Sequence, residues 1–273
     1  MNRRTAGGGI TLIIALAMAA FAAFQYFGTS QVNPTTGEKQ HVALTSQQEI
    51  ALGVHAAPEM EQQFGGLSQN AAAQALVDEV GRRIVEHSMA AKSPYQYEFH
   101  LLADSSTVNA FALPGGQVFI TEGLRKRLQT EGELAGVLGH EIGHVIGRHS
   151  AEQLAKQKLT QGLVGAAGVA GSSDSSGGQQ TAQMAAAIGQ MVNMKYSRGD
   201  ELEADKFGVK LMSEAGYDPR AMLGVMRTLA SLSKNGRTPE FFSTHPNPEN
   251  RSTRIKEAIN KLYPNGVPEG MKP

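Results

Sequence analysis

Cysteine is absent from all 273 residues. That excludes a disulfide framework, thiolate metal ligands and a lipid-modified N-terminal cysteine, so any metal must be held by His, Asp or Glu. Net charge is absent too, since 25 basic side chains match 25 acidic ones. This balance argues against a nucleic-acid partner, whose binding domains are usually basic. The chain shows no internal repeat, and no charged residue occurs between Arg4 and Glu38.

The uncharged stretch holds an apolar run from Ile10 to Phe27, interrupted by Thr11 and Gln25 and preceded by Arg3 and Arg4. The run is longer than the apolar core of a signal peptide (~7–15 residues) and close to the ~20 that span a bilayer. Ala19, Ala20, Ala22 and Ala23 could support cleavage, but Phe24, Tyr26 and Phe27 continue the run and suit a membrane interface. Residues 1–30 are therefore expected to be an uncleaved signal anchor, with a cleaved signal peptide as the alternative. The basic N-terminus would stay inside, placing the body in the periplasm or another extracytoplasmic part of the cell envelope. Membrane contact is expected through this segment only.

Residues 31–45, with Asn33-Pro34 and Thr36-Gly37, read as an extended linker. Residues 46–265 read as one main domain, followed by a tail over 266–273. Ser46 with Glu49 forms a capping-box pattern at the start of a helix. Leu76, Val77, Val80, Ile84 and Val85 recur at helical spacing within 70–89. Strands are expected over 95–103, 108–112 and 117–121, the last two joined through Pro114-Gly115-Gly116. Thr130 with Glu133 is a second capping box, and its helix is expected to run to Lys158. Residues 161–194 form a Gly-, Ala- and Ser-rich region read as a flexible loop and candidate lid. Ser197 with Asp200, Asp218-Pro219 and Asn247-Pro248 mark three later helix starts. The expected fold class is α+β, mainly α-helical with a small antiparallel-type sheet.

His140 and His144 are four apart, so on a helix both imidazoles project from one face and can share a metal ion. Glu141 sits ~100° around the helix, where it reaches a water on the metal as general base. This is the H-E-x-x-H arrangement of zinc peptidases, here with an apolar back face of Leu134, Val137, Leu138 and Val145. Glycines 136, 139, 143 and 147 each cost such a helix up to ~1 kcal/mol relative to Ala, which suggests close packing or ligand access. A third ligand is needed. His149 would lie ~140° from His144 on a continued helix and point away. Glu201 is the stronger candidate, with Asp205 four residues on and able to orient a ligand histidine from behind. Glu203 points elsewhere and reads as a solvated charge.

Asn109-Ala-Phe-Ala-Leu-Pro-Gly-Gly116, His140-Glu-Ile-Gly-His144, Ser197-Arg198 with Glu201-Leu-Glu-Ala-Asp205, and Thr244-His-Pro246 with Arg251 occur in that order. Together they resemble the HtpX-like zinc metallopeptidases, an HExxH gluzincin family that also includes the CAAX prenyl protease and BepA-like peptidases. The resemblance implies a zincin-like fold holding one Zn2+ per chain through His140, His144 and Glu201, with Asp205 behind them. It places His245 and Arg251 near the zinc. There His245 would either steady the oxyanion of a tetrahedral intermediate or occupy the metal's open position. It makes Asn109, Ala110, Phe111 and Ala112 the strand along which an extended substrate pairs. The implied activity is endopeptidase cleavage of unfolded or misassembled cell-envelope proteins.

Unlike the integral-membrane members, this chain has no apolar spans around its ligand helices, which puts the site in water and a lipid-modified substrate in doubt. No appended helical-repeat domain is expected after the last helix. A zinc-stabilised chaperone or assembly factor is the alternative function. A purely structural zinc site fits less well, since such sites are usually closed by four Cys or His ligands. Nothing in the sequence sets the oligomeric state or the cleavage specificity.

Overall fold

The apolar run folds as α1 (Thr5–Gly28) in the computed structural model of the chain, which describes residues 5–171, 195–234, 238–246 and 250–273. Ile13, Phe21 and Phe24 stand exposed on it. Among the described residues α1 is the one helix long and apolar enough to cross a membrane, with mean hydropathy 2.0 over Ile10–Gly28.

Residues 30–41 form a hairpin, β1 (Ser30–Val32) and β2 (Lys39–His41), where an extended linker was expected. Asn33 shapes its turn by accepting from the N–H groups of Thr35 and Thr36. The capping box of α2 (Ser46–Gln63) lies one residue earlier than the sequence suggests, on Thr45 and Gln48. Glu49 is thereby released from capping and is buried. α3 (Ala71–Glu86) is capped by Asn70 and buries Val77, Val80 and Ile84.

The main sheet contains β3 (Glu98–Leu102), β4 (Ala110–Ala112) and β5 (Gln117–Thr121) in the order β3-β5-β4. β4 and β5 are antiparallel, joined through Gly115 and Gly116 at φ 83° and 110°, values that favour glycine. β3, by contrast, runs parallel to β5. The segment 103–109 reverses the chain before β4 hairpins back, so the sheet is mixed and the expected antiparallel character belongs to the β4–β5 hairpin.

After the single turn α4 (Glu122–Arg125) comes the central helix α5 (Glu131–Gly147), buried at every position from Gly132 onward. Thr130 caps it, but the Glu133 carboxylate accepts from Gln129 N–H, so the expected reciprocal box is not closed. Nor does the helix run to Lys158. Arg148 adopts φ 58° and ψ 30°, ending α5, and α6 (His149–Gly171) starts at the next residue. Residues 161–171 are thus helical, while 172–194, and with them the lid expectation, lie outside the described residues.

α6 packs along α1, close enough that a Cβ on Gly162 would stand 2.7 Å from Ala22 Cβ. The chain continues as α7 (Arg198–Glu214), α8 (Ala221–Lys234), the short α9 (Phe241–Thr244) and α10 (Arg251–Leu262). The expected last-helix start at Asn247-Pro248 lies outside the described residues; α10 begins after Asn250.

α5 and α7 cross at small residues. A Cβ on Gly143 would meet Ala204 O at 2.9 Å, and one on Gly139 would meet Gly208 O at 3.3 Å. The glycines of α5 therefore trade helix propensity for a close approach of two helices. Leu138 and Ile142 of α5 join Val80 and Ile84, Val118 and Ile120, and Leu211 in one apolar core. The fold is α+β, mainly helical and of zincin type.

Candidate active site

The α5–α7 crossing brings the expected donors together. His140 and His144, four apart on α5, turn their Nε2 atoms toward each other at 3.1 Å. Glu201, in the first turn of α7, presents Oε1 at 3.4 Å from His144 Nε2 and Oε2 at 3.6 Å from His140 Nε2. His245 follows α9, whose Phe241 carbonyl accepts from its N–H and whose Phe241 ring stacks on its imidazole. This histidine puts Nδ1 3.0 Å from Glu201 Oε1 and 3.3 Å from His140 Nε2. One ligand atom from each of these four residues lies within 4.8 Å of all the others, and all four are buried.

Asp205 lies one turn beyond Glu201 and sits behind His140, Oδ1 to Nδ1 at 3.0 Å. Arg251 enters from α10, donates Nε and Nη2 to Asp205 at 2.7 and 2.9 Å, and approaches Glu201 Oε2 with Nη1 at 3.0 Å. It is 1% exposed. Burial of such a charge is tolerable only because it is paired on two sides.

Glu141 is fully buried, and neither carboxylate oxygen has a hydrogen-bond partner; His245 Nε2, 3.6 Å from its Oε1, also lacks one. Burial pushes the Glu141 carboxyl above its ordinary pKa, against the opposing pull of His245 and His140. Burial likewise holds the His144 imidazole well below its usual value, in the neutral form that ligates metals. Glu201 is the reverse case: burial opposes its charge, yet His245 and His144 keep it well below the usual carboxylate range.

Buried polar atoms are nearly always satisfied, so the two unpaired oxygens of Glu141, beside imidazole nitrogens that face one another, mark a site built around something else. Two imidazoles and a carboxylate are the donors zinc takes in open catalytic sites. The donor set fits one zinc ion.

Asn109, Phe111 and Ala112 line a groove with Leu113, Tyr196 and Thr244, and β4 is an outer strand of its sheet. Asn109 Oδ1 is buried and unpaired.

Several residues near the site carry no periodic or motif signal. Tyr196 stacks on His144 with ring centroids 3.9 Å apart, and its hydroxyl pairs with Ser150 Oγ. Arg148 donates to Glu49 Oε1 and to Leu44 O, and Tyr95 donates to Glu49 as well. His149 does not point away as a continued helix would require. The left-handed turn at Arg148 folds it back, placing its Nδ1 2.9 Å from His144 Nδ1. Glu203 is not simply solvated, since its Oε2 lies 3.6 Å from His149 Nε2.

The family described as Peptidase family M48 matches residues 71–259. Among curated relatives, the beta-barrel assembly-enhancing protease of Yersinia pestis is 29% identical, over 85% of this chain and 48% of that protein. The mitochondrial metalloendopeptidase OMA1 of Schizosaccharomyces pombe is 36% identical, over 66% of this chain and 51% of that protein. Metalloprotease YcaL of Escherichia coli (strain K12) is 34% identical, over 61% of this chain and 63% of that protein. The first of these relatives is matched over about half its length.

Proposed function

The chain belongs to peptidase family M48, and from that membership we propose that it is a zinc-dependent endopeptidase of unfolded or misassembled cell-envelope proteins. The observation that carries the reading is Glu141, fully buried beside the donor set with both oxygens unpaired. His140, His144 and Glu201 would hold the ion. The chemistry a bound zinc supplies is Lewis acidity toward a peptide carbonyl and toward water.

Glu141 takes the proton of the attacking water and returns it to the leaving amine. Its raised pKa makes it a stronger acceptor for the water's proton than an exposed carboxylate would be. Asp205 accepts at His140 Nδ1 and orients that ring, while Arg251 holds Asp205 and Glu201 in place. His245 stands beside Glu201 and 3.6 Å from Glu141, where a donor could steady developing negative charge. An extended substrate would lie along Asn109, Ala110, Phe111 and Ala112, with its side chains in the groove beside Tyr196.

The name of the Yersinia relative, a beta-barrel assembly-enhancing protease, supports envelope substrates. The exposed apolar surface of α1 supports an uncleaved anchor that keeps the peptidase domain, residues 46–265, on the periplasmic side of the inner membrane.

The test is cleavage of unfolded casein by the full chain and by Glu141→Gln, with zinc content measured in both. General-base assistance is typically worth ~10²–10⁴ in rate, so the variant should bind zinc normally and lose nearly all turnover. Equal cleavage by both proteins would sink the assignment of Glu141 as the base.

A further inference from the structure

His144 directs its two ring nitrogens to different neighbours. Nε2 faces the donor set, 3.1 Å from His140 Nε2 and 3.4 Å from Glu201 Oε1. Nδ1 meets His149 Nδ1 at 2.9 Å. A neutral imidazole that gives one nitrogen's lone pair to a metal keeps its proton on the other. With the metal on Nε2, the His144 proton sits on Nδ1 and is donated to His149. His149 Nδ1 must then carry a lone pair, which leaves its own proton on Nε2. That nitrogen is buried, lacks a hydrogen-bond partner, and lies 3.6 Å from Glu203 Oε2. One arrangement of protons thus runs from the metal-side nitrogen through both imidazoles and leaves the last N–H beside the Glu203 carboxylate, 3.6 Å away.

We propose that His149, backed by Glu203, is a positioning residue that fixes the tautomer and ring orientation of His144. The inference rests on the zinc reading above and extends it to residues outside the donor set.

A second observation shows that the seat for this ring is built. A Cβ on Gly147 would stand 2.5 Å from His149 Nε2 and 2.8 Å from its Cε1, so a glycine there leaves room for the imidazole. Arg148, the one non-glycine residue with positive φ among the described residues, makes the turn that returns His149 to α5. Its guanidinium is pinned by Glu49 and the Leu44 carbonyl, two groups from outside either helix. His149 ends 2% exposed. With Tyr196 stacked on its face and His149 at its edge, the His144 ring is held on two sides. The two proposed ligand histidines are therefore oriented by different chemistry: Asp205 serves His140 and an imidazole–carboxylate pair serves His144.

The experiment compares the full chain with His149→Leu and His149→Asn. Zinc affinity is read by competition with a chromophoric chelator. Nitrogen NMR of the zinc-loaded wild type reads the histidine tautomers without any substitution. Asparagine can offer its side-chain oxygen where His149 Nδ1 accepts, whereas leucine fills space and accepts nothing. His149→Leu should weaken zinc binding about 10–100-fold, as loss of such an orienting partner typically does, and His149→Asn should stay close to wild type. The NMR should show His144 protonated on Nδ1 and His149 on Nε2. Unchanged affinity in His149→Leu, equal losses in both variants, or the opposite tautomers would each overturn the inference while leaving the zinc site standing. A wild type that binds no zinc would overturn both.

Discussion

Asp205 shows how much one side chain near the centre is asked to do. Burial works against its charge, but Arg251 beside it holds the carboxyl below its ordinary pKa, with His140 adding to the effect. A carboxyl with a depressed folded pKa stabilises the fold fully above its unfolded value, about 3.9 for Asp, and that contribution is lost as pH falls through the folded pKa. In chelator-stripped protein, wild-type stability should therefore drop in acid below that value, and Asp205→Asn should lack this part of the drop. At neutral pH the same variant leaves Arg251 without its main partner, a loss that typically costs about 3–5 kcal/mol. Urea unfolding across pH checks both; an Asn variant with the wild-type acid profile would mean that Asp205 is not the group responsible. The place of Asp205 was legible from its spacing to Glu201, because four residues on a helix return to one face. The place of Glu203 was not, because its neighbour His149 comes from a turn that no helical wheel contains.

Among the elements, α5 is held at its crossing and at its end. At the crossing, Gly143 lets Ala204 approach, and a Cβ there would stand 2.9 Å from Ala204 O and 3.2 Å from its Cα. Both are backbone atoms, so Gly143→Ala must separate α5 from α7, and with them His140 and His144 from Glu201. We expect a lower melting temperature by the ~1–3 kcal/mol typical of overpacking, together with weaker zinc binding. A variant that binds zinc like wild type would show that the helices can part without disturbing the donors. At its end, α5 is finished by segments that read as connectors. Asn33 donates to Ile146 O and Gln40 to Gly147 O, from the hairpin that stands in place of an extended linker. Short, polar and without alternation, that hairpin has no strand signature. What it supplies is donors for carbonyls left over at a helix terminus.

On the scale of the whole molecule, the site links α5, α7, α9 and α10, and a bound ion would tie them together. Excess chelator should lower the melting temperature, and added zinc should restore it, by about 2.7 kcal/mol at a free concentration 100 times Kd. No shift on chelation would argue against a resident metal. The membrane end makes a separate prediction. If α1 is an anchor, the mature protein keeps residues 1–28 and sediments with membranes through an alkaline wash, and deleting that segment releases it. An N-terminus beginning after Ala23 would mean a cleaved signal. The sequence by itself determined what local periodicity can carry. The apolar length of α1, the shared face of His140 and His144, the pairing of Glu201 with Asp205 and the turn chemistry of Gly115-Gly116 all follow from neighbours a few residues apart. The tertiary structure alone decided the rest: the parallel placement of β3, the end of α5 at Arg148, and the return of His149 to His144. Each depends on groups far apart in the chain. Arg148 turns left-handed at a cost, and Glu49, 99 positions away, is what holds it there.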